Sequence, residues 1–394
     1  MNIRIINKVK YNPIIYKCYN LLGSVAIKVI KPFIIQNKKR ILFVSFGGRR
    51  YDDSPKAIYL EMLKDERFKD YELIWAFGNP DNFVIPRGTK IKIDSLSYFK
   101  YLLSSRVWIT NSSVSRGLSF YIDRVFFLNT WHGTPIKKMG IDISSDTESF
   151  IKLGSEERNT NIMLAQGDYD VNIFSRVFNI PKDKFVKLGL PRNDELFLGN
   201  TKENIERIKK KLNIPLDKNV ILYAPTFREY EKDSGNNCVM RLPLNFNNLR
   251  EALEEKYVFL VRAHYEILTV REMEENEFIR NVSNYESLNE LMLASDILIS
   301  DYSSLFFDYS ILNRPMLPFC YDYEEYEKRR GLYFDIRSEL QFNASTEKEL
   351  IDGILNLDFS KYSEISGKFC QKYIENYGTA SKETVNLIWT SIAH

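Results

Sequence analysis

Apolar runs of strand length recur along the chain, separated by stretches with helical spacing. Residues 40–46 (RILFVSF), 71–77 (YELIWAF), 107–110 (VWIT), 125–129 (VFFLN) and 161–166 (NIMLAQ) read as buried strands. Between the first two, residues 54–63 (SPKAIYLEML) carry Ser54 as N-cap, Pro55 at the first helical position and Ile58, Leu60, Met62 and Leu63 as apolar members. Between 197 and 218 the pattern breaks into a charged helical stretch, TKENIERIKKKLNI, and a turn, PLDKN. A second strand–helix series follows: strands at 220–225 (VILYAP), 257–264 (YVFLVRAH), 296–300 (DILIS) and 314–319 (RPMLPF), with helices at 287–295 and 303–312. From about residue 345 the spacing is helical to the end. This alternation predicts an α/β protein of two Rossmann-like domains facing a central cleft, with ligands at the carboxyl ends of the strands. The expected boundaries are 39–200 for the first domain, 201–375 for the second, and 376–394 for a C-terminal helix packing back on the first.

Residues 1–38 stand apart by charge. Nine of the 55 basic residues, and none of the 52 acidic ones, fall within the first forty positions, so the net +3 hides a basic leader on a mildly acidic body. The leader interleaves its lysines with Ile14, Ile15, Leu21, Leu22, Val25, Val29, Phe33 and other apolar residues. That mixture predicts an amphipathic segment lying on an anionic membrane surface, with the lysine stems reaching toward the headgroups; the alternative is a helix packed on the body. Lys17, Lys28, Lys31 and Pro32 interrupt it before a membrane span of about 20 apolar residues accumulates, and no cleavage site marks a signal peptide. The hydrophobic content of 44% excludes wholesale disorder. Cys18, Cys238, Cys320 and Cys370 are scattered, which suggests neither a disulfide framework nor a thiolate metal site.

Candidate chemistry collects at strand ends. Of three histidines, His132 follows the strand at 125–129 in NTWHGTPIKKMG, His264 follows another in VRAHY with Arg262, and the third is the terminal His394. His132 is either a satisfied structural histidine or the base of an active site. DYSS places Asp301 and Tyr302 after a strand and Ser303 and Ser304 at a helix start, which is either an ordinary cap or a phosphate site. In YAPTFR, Thr226 and Arg228 follow Pro225, so the guanidinium either grips phosphate bidentately or lies on the surface. Asp168-Tyr169-Asp170 mimics a metal-binding D-x-D but equally opens a helix. No H-E-x-x-H and no phosphate-loop lysine motif occurs, and neither a metal nor a cofactor is expected.

Taken together and in order, FVSFGGRRYDDSPKAIY, NTWHGTPIKKMGID, GLPRNDELF, YAPTFR, VRAHY, SDILISDYSSLFFDYSILNRPMLPF and YDYEEYEKRRGLYFD make the chain resemble the CDP-glycerol glycerophosphotransferase family of teichoic acid synthesis, which includes CDP-ribitol enzymes. The resemblance covers about residues 40–335. It implies a GT-B fold attached peripherally to the cytoplasmic side of the cell membrane. The donor would be a CDP-alcohol, the acceptor a lipid-linked saccharide or polyol-phosphate chain, and CMP the leaving group; no nucleic acid is involved. Residue by residue it implies His132 as the base and His264 as a catalytic group at the donor phosphates. Thr226, Arg228, Arg262, Asp301, Tyr302, Ser303 and Ser304 fall on the donor side. Gly47, Gly48, Arg49, Trp131, Gly133, Thr134 and Lys137 fall on the acceptor side, with Lys137 and Lys138 either holding an anionic acceptor or solvated.

The chain departs from the family at Val44 and Gly47, where a glutamate and a histidine are common, and at Arg49, where a lysine is usual. These positions bear on the acceptor. The length suggests a priming or short-chain transferase. Competing expectations are a CDP-ribitol ribitolphosphotransferase, a GT-B nucleotide-sugar glycosyltransferase of capsule synthesis, and a catalytically silent membrane-associated module.

Overall fold

The protein is seen in a computed structural model that describes residues 13–120, 122–143, 159–226, 228, 243–263 and 275–393. The chain divides into two compact units. One comprises Met1–His132, Ile151–Arg192 and Thr379–His394; the other comprises Gly133–Phe150 and Asn193–Gly378.

In the first unit seven strands form one parallel sheet: β1 (Asn37–Val44), β2 (Glu72–Phe77), β3 (Thr89–Lys92), β4 (Ser105–Thr110), β5 (Phe126–Asn129), β6 (Ile162–Leu164) and β7 (Phe185–Val186), in the order β3-β2-β1-β4-β5-β6-β7. Parallel strands need crossovers and helices on both faces, and β1, β4 and β5 accordingly each carry a continuous buried run of four residues. Residues 41–44 of β1 are fully buried and alternate between two cores. Ile41 and Phe43 join Ile58, Tyr59, Trp75 and Ile388 on one face; Leu42 and Val44 join Ile74, Tyr98, Leu102 and Trp108 on the other. Each such side chain contributes about 1.5–3 kcal/mol by leaving water. The terminal helix Ala380–Ile392 supplies Val385, Ile388 and Ile392 to the first face.

The helix after β1 spans Asp53–Lys64. Its N-cap is Asp52 rather than Ser54, because the fully buried Ser54 already lies in the helix and its N–H meets the Asp53 carboxylate at 2.6 Å. The leader forms a helix, Pro13–Ile30, that packs on the unit with one face: Tyr19 and Asn20 donate to the carbonyls of Arg116 and Gly117, Ser24 accepts from the Ser119 N–H, and Ile27 is buried. Its other face leaves Ile14, Leu21, Leu22, Val25 and Val29 exposed. Among the described residues no helix is long and apolar enough to cross a membrane.

In the second unit five parallel strands, β8 (Asn219–Tyr223), β9 (Tyr257–Val261), β10 (Ile279–Asn281), β11 (Ile297–Ser300) and β12 (Met316–Pro318), run in the order β10-β9-β8-β11-β12. Residues 133–143, which spacing alone assigned to the first domain, belong with this unit. The Lys138 N–H donates to the Gly331 carbonyl (3.0 Å), the Tyr333 N–H donates to that of Ile136 (2.8 Å), and the Tyr333 hydroxyl meets the Asp142 carboxylate at 2.6 Å. These partners lie almost two hundred residues apart, so no local signal announces them. The change of unit falls at 192/193 and 378/379, where 200/201 and 375/376 were expected.

Candidate active site

Three neighbouring strands of the first unit, β1, β4 and β5, end side by side and hand their chains to Ser45, Asn111 and Thr130. The turn after β1 places Gly47 at φ +62 and Gly48 at φ +84. A Cβ on Gly48 would stand 3.1–3.2 Å from the Ile93 side chain, the Ala76 carbonyl and the Gly78 nitrogen, so this position needs glycine for the turn itself. The turn is tied to β4: the Phe46 N–H donates to Asn111 Oδ1 (2.7 Å) and the Gly47 N–H to Ser112 Oγ (2.9 Å).

After β5 the backbone turns sharply. Trp131 sits at φ +49, a left-handed conformation that costs a bulky residue about 1–3 kcal/mol. It is held there by its N–H bond to Asn129 Oδ1 (2.9 Å) and by edge packing on Phe174 and Phe178. Gly133, at φ +148, continues the turn. His132 between them is presented at the strand end, its ring stacked on Trp131 at 4.1 Å and tilted against Phe46 at 5.7 Å.

His132 Nδ1 lies 2.7 Å from the main-chain oxygen of Asn111. A carbonyl only accepts, so Nδ1 carries the proton and Nε2 keeps its lone pair. Burial pushes the imidazole below its usual value; the Asn111 carbonyl and the Asp53 carboxylate work against that, and Arg192 and Arg49 work with it. The result is a neutral imidazole near pH 7 with one defined basic nitrogen. The residue as a whole is nonetheless partly exposed. Sequence reasoning missed Asn111, whose contribution runs through its backbone oxygen and so leaves no side-chain signature.

The residues expected on the acceptor side divide between the units. Gly47, Gly48, Arg49, Trp131 and His132 belong to the first; Gly133, Thr134 and Lys137 belong to the second. Thr134 is buried, and Lys137 bridges to Leu332. His264 lies outside the described residues.

In the second unit the polar strand ends converge on Arg228, but not as expected. The guanidinium is 2% exposed and does not project into solvent. Its Nη1 donates to Asp301 (2.9 Å) and to the Thr226 carbonyl and hydroxyl (2.7 and 2.9 Å), while Nε and Nη2 grip Asp322 at 2.7 and 2.9 Å. The rings of Tyr302, Tyr321 and Tyr326 surround it at 4.8–5.2 Å. Two carboxylates thus hold the guanidinium, and Arg228 ties together the segments that bear Thr226, Asp301 and Asp322. Asp301, likewise buried, accepts from the N–H groups of Thr226 (2.9 Å) and Tyr302 (2.8 Å). The Tyr302 hydroxyl donates to Asp322 (3.1 Å), and its ring stacks on Tyr326 at 3.9 Å. Arg262 is spent on the carbonyls of Val282 (3.2 Å) and Tyr285 (2.8 Å). Ser303 and Ser304 stay partly exposed, Ser303 Oγ accepting from the Leu305 N–H (3.2 Å) ahead of the short helix Leu305–Ser310. Of the expected donor-side groups among the described residues, Ser303, Ser304 and Arg262 stay partly exposed.

Asp168 and Asp170 open the helix Asp168–Val177: Asp170 accepts from the Gln166 N–H at 2.8 Å and Asp168 pairs with Lys187 at 3.0 Å. Among the described residues no group of three or more histidine, cysteine or acidic side chains is placed to hold a metal.

The family model for CDP-Glycerol:Poly(glycerophosphate) glycerophosphotransferase matches residues 25–390. The chain belongs to this family. It is 35% identical to a teichoic acid glycerol-phosphate transferase of Staphylococcus aureus over 86% of this chain and 90% of that protein. It is 33% identical to a teichoic acid poly(glycerol phosphate) polymerase of Bacillus subtilis over 98% of this chain, and spans 53% of that polymerase. The fold resembles that of the wall teichoic acid polymerase TagF with a TM-score of 0.83 at 31% identity, covering 96% of this chain and 98% of the TagF chain. A histidine-to-asparagine variant of TagF soaked with CDPG superposes equally well. Membership makes the chain a transferase of the CDP-glycerol glycerophosphotransferase type, with parallel-sheet α/β architecture.

Proposed function

We propose that the protein transfers glycerol phosphate from CDP-glycerol to a hydroxyl of a lipid-linked saccharide or polyol-phosphate acceptor, releasing CMP. The observation that carries this reading is the 2.7 Å bond of His132 Nδ1 to the Asn111 carbonyl, which leaves Nε2 as a base of fixed direction. An alcohol is far too weak an acid to lose its proton unaided at pH 7. Nε2 takes that proton as the oxygen attacks the β-phosphorus; the new P–O bond forms as the bond to the CMP oxygen breaks. The same His132 then carries the proton as an imidazolium, with Nδ1–H still donating to Asn111. On the donor side Ser303 and Ser304 offer hydroxyls to the diphosphate, and the Arg228–Asp301–Asp322 cluster fixes the loop that bears them. His264 is assigned to the donor phosphates by the family motif alone.

Two doubly wound units are consistent with a GT-B fold. The exposed apolar stripe of the helix Pro13–Ile30, continued by Phe33 and Ile35 and accompanied by Lys17, Lys28 and Lys31, supports peripheral attachment to the cytoplasmic side of an anionic membrane. The experiment is a donor panel: CDP-glycerol, CDP-ribitol and UDP-sugars are each incubated with protein and a lipid-linked disaccharide, and nucleotide release is followed. CMP release from CDP-glycerol is expected. Release only from a UDP-sugar would overturn the reading.

A further inference from the structure

An arginine beside the β1 turn keeps one nitrogen uncommitted. Arg116 follows β4, and its Nε and Nη2 hold the two carboxylate oxygens of Asp94 at 2.7 and 2.9 Å. Nη1 has no hydrogen-bond partner among the described residues, and the side chain is 28% exposed. This nitrogen lies against Gly47: a Cβ there would stand 3.3 Å from it and, chain neighbours aside, would meet no other described atom within 4 Å. The φ of +62 already accounts for glycine at this position. Its consequence is an opening beside the turn with a guanidinium nitrogen at the edge. Ser112 brings a second donor. Its Oγ accepts from the Gly47 N–H (2.9 Å), which leaves the hydroxyl's own proton to donate elsewhere, and the residue is partly exposed.

The guanidinium is held from two sides. Arg116 sits at φ +59 and Asp94 at φ +61, left-handed conformations that persist only where the surroundings enforce them and that gather at ligand clamps. The leader helix supplies part of that enforcement: Tyr19 Oη donates to the Arg116 carbonyl (3.2 Å) and the Asn20 amide to that of Gly117. The opening also adjoins the base. Phe46, the residue before Gly47, has its ring 5.7 Å from the imidazole of His132, and Asn111, the residue before Ser112, holds Nδ1 of that imidazole at 2.7 Å. The two donors thus belong to the segments that frame His132, one residue along the chain or against it.

A polyol-phosphate acceptor carries a phosphodiester one glycerol backbone behind its terminal hydroxyl, whereas a bare lipid-linked saccharide carries no phosphate near the hydroxyl that reacts. Guanidinium and hydroxyl donors beside the base are of use only to the first. We infer that Arg116 Nη1 and Ser112 Oγ receive the phosphodiester of the acceptor's last polyol-phosphate unit while its terminal hydroxyl faces His132. The protein then extends acceptors that already bear a polyol phosphate in preference to unprimed ones. Arg116 and Ser112 are specificity-determining residues, and Asp94 positions Arg116. The inference rests on the proposed transfer with His132 as base.

The test is CMP release from CDP-glycerol with two acceptors, a lipid-linked disaccharide and the same disaccharide bearing one glycerol phosphate, in wild type, Arg116→Gln and Gly47→Asn. Wild type should prefer the phosphorylated acceptor in kcat/KM. Arg116→Gln should lower that preference by about tenfold or more, through KM for the phosphorylated acceptor, with KM for CDP-glycerol unmoved. Gly47→Asn keeps the Arg116–Asp94 pair, tolerates the left-handed backbone and fills the opening, so it should lower the preference in the same way even if Arg116→Gln fails to fold. A merely structural arginine lowers stability, or the rates with both acceptors alike. Equal losses on the two acceptors, a raised KM for CDP-glycerol in place of the acceptor effect, or a wild type that prefers the bare disaccharide would overturn the inference. No CMP release by wild type with either acceptor would instead overturn the proposed function, so the two failures are distinguishable.

Discussion

His132 and Asn111 meet through a ring nitrogen and a main-chain oxygen 2.7 Å apart, across the ends of two adjacent parallel strands. The strand ends fix both partners, so the tautomer of the imidazole is set by the sheet and not by a mobile side chain. Burial holds the ring below the usual histidine value of about 6.5, and the neutral form is the one that accepts a proton. Activity is therefore present above the lowered value and lost as pH falls through it. The acid limb of kcat/KM should have its midpoint below about 6.5; a midpoint well above it would contradict the assignment.

Arg228 gives a prediction in stability before activity. Replacing it with alanine leaves Asp301 and Asp322 buried without their cation, which costs about 3–5 kcal/mol. Denaturant unfolding should show a loss of that order. An unchanged midpoint with loss of donor affinity alone would contradict this and favour a direct phosphate grip.

Gly48→Ala should destabilise the first unit by roughly 1–2 kcal/mol from the φ of +84 alone, and more from the contacts its Cβ would make with Ala76 and Gly78. Thermal unfolding reads this directly. A variant as stable as wild type would mean that the turn after β1 is not as described.

The exposed stripe of the helix Pro13–Ile30 predicts a separable membrane effect. Leu22→Glu with Val29→Glu places charge at positions 69% and 61% exposed and should lower binding to phosphatidylglycerol vesicles at least tenfold. CMP release with a soluble acceptor should be preserved. Equal flotation of variant and wild type would remove the helix from the membrane account.

Much of this architecture is legible in the sequence because buried parallel strands are continuous apolar runs. β1, β2, β4, β5, β8, β9 and β11 announce themselves in that way. β3 does not: it is an edge strand with a single buried residue, Ile91, and β7 and β10 have two and three residues, too short to show a period. The site divides along similar lines. His132 is readable as a rare residue after an apolar run, whereas the partners of Arg228 are not, since Asp301 and Asp322 lie 73 and 94 residues away in sequence and only the folded chain brings them to it. Asp53 and Arg192 sit inside recognisable motifs, but their pairing across 139 positions is likewise a property of the fold.

The central claim, that His132 is the base, is tested most directly by the rate of CMP release from CDP-glycerol in His132→Ala, measured with saturating acceptor and with the variant's fold checked by its unfolding midpoint. Loss of about 100-fold or more in a folded variant is predicted. A folded His132→Ala protein that releases CMP at the wild-type rate would contradict it.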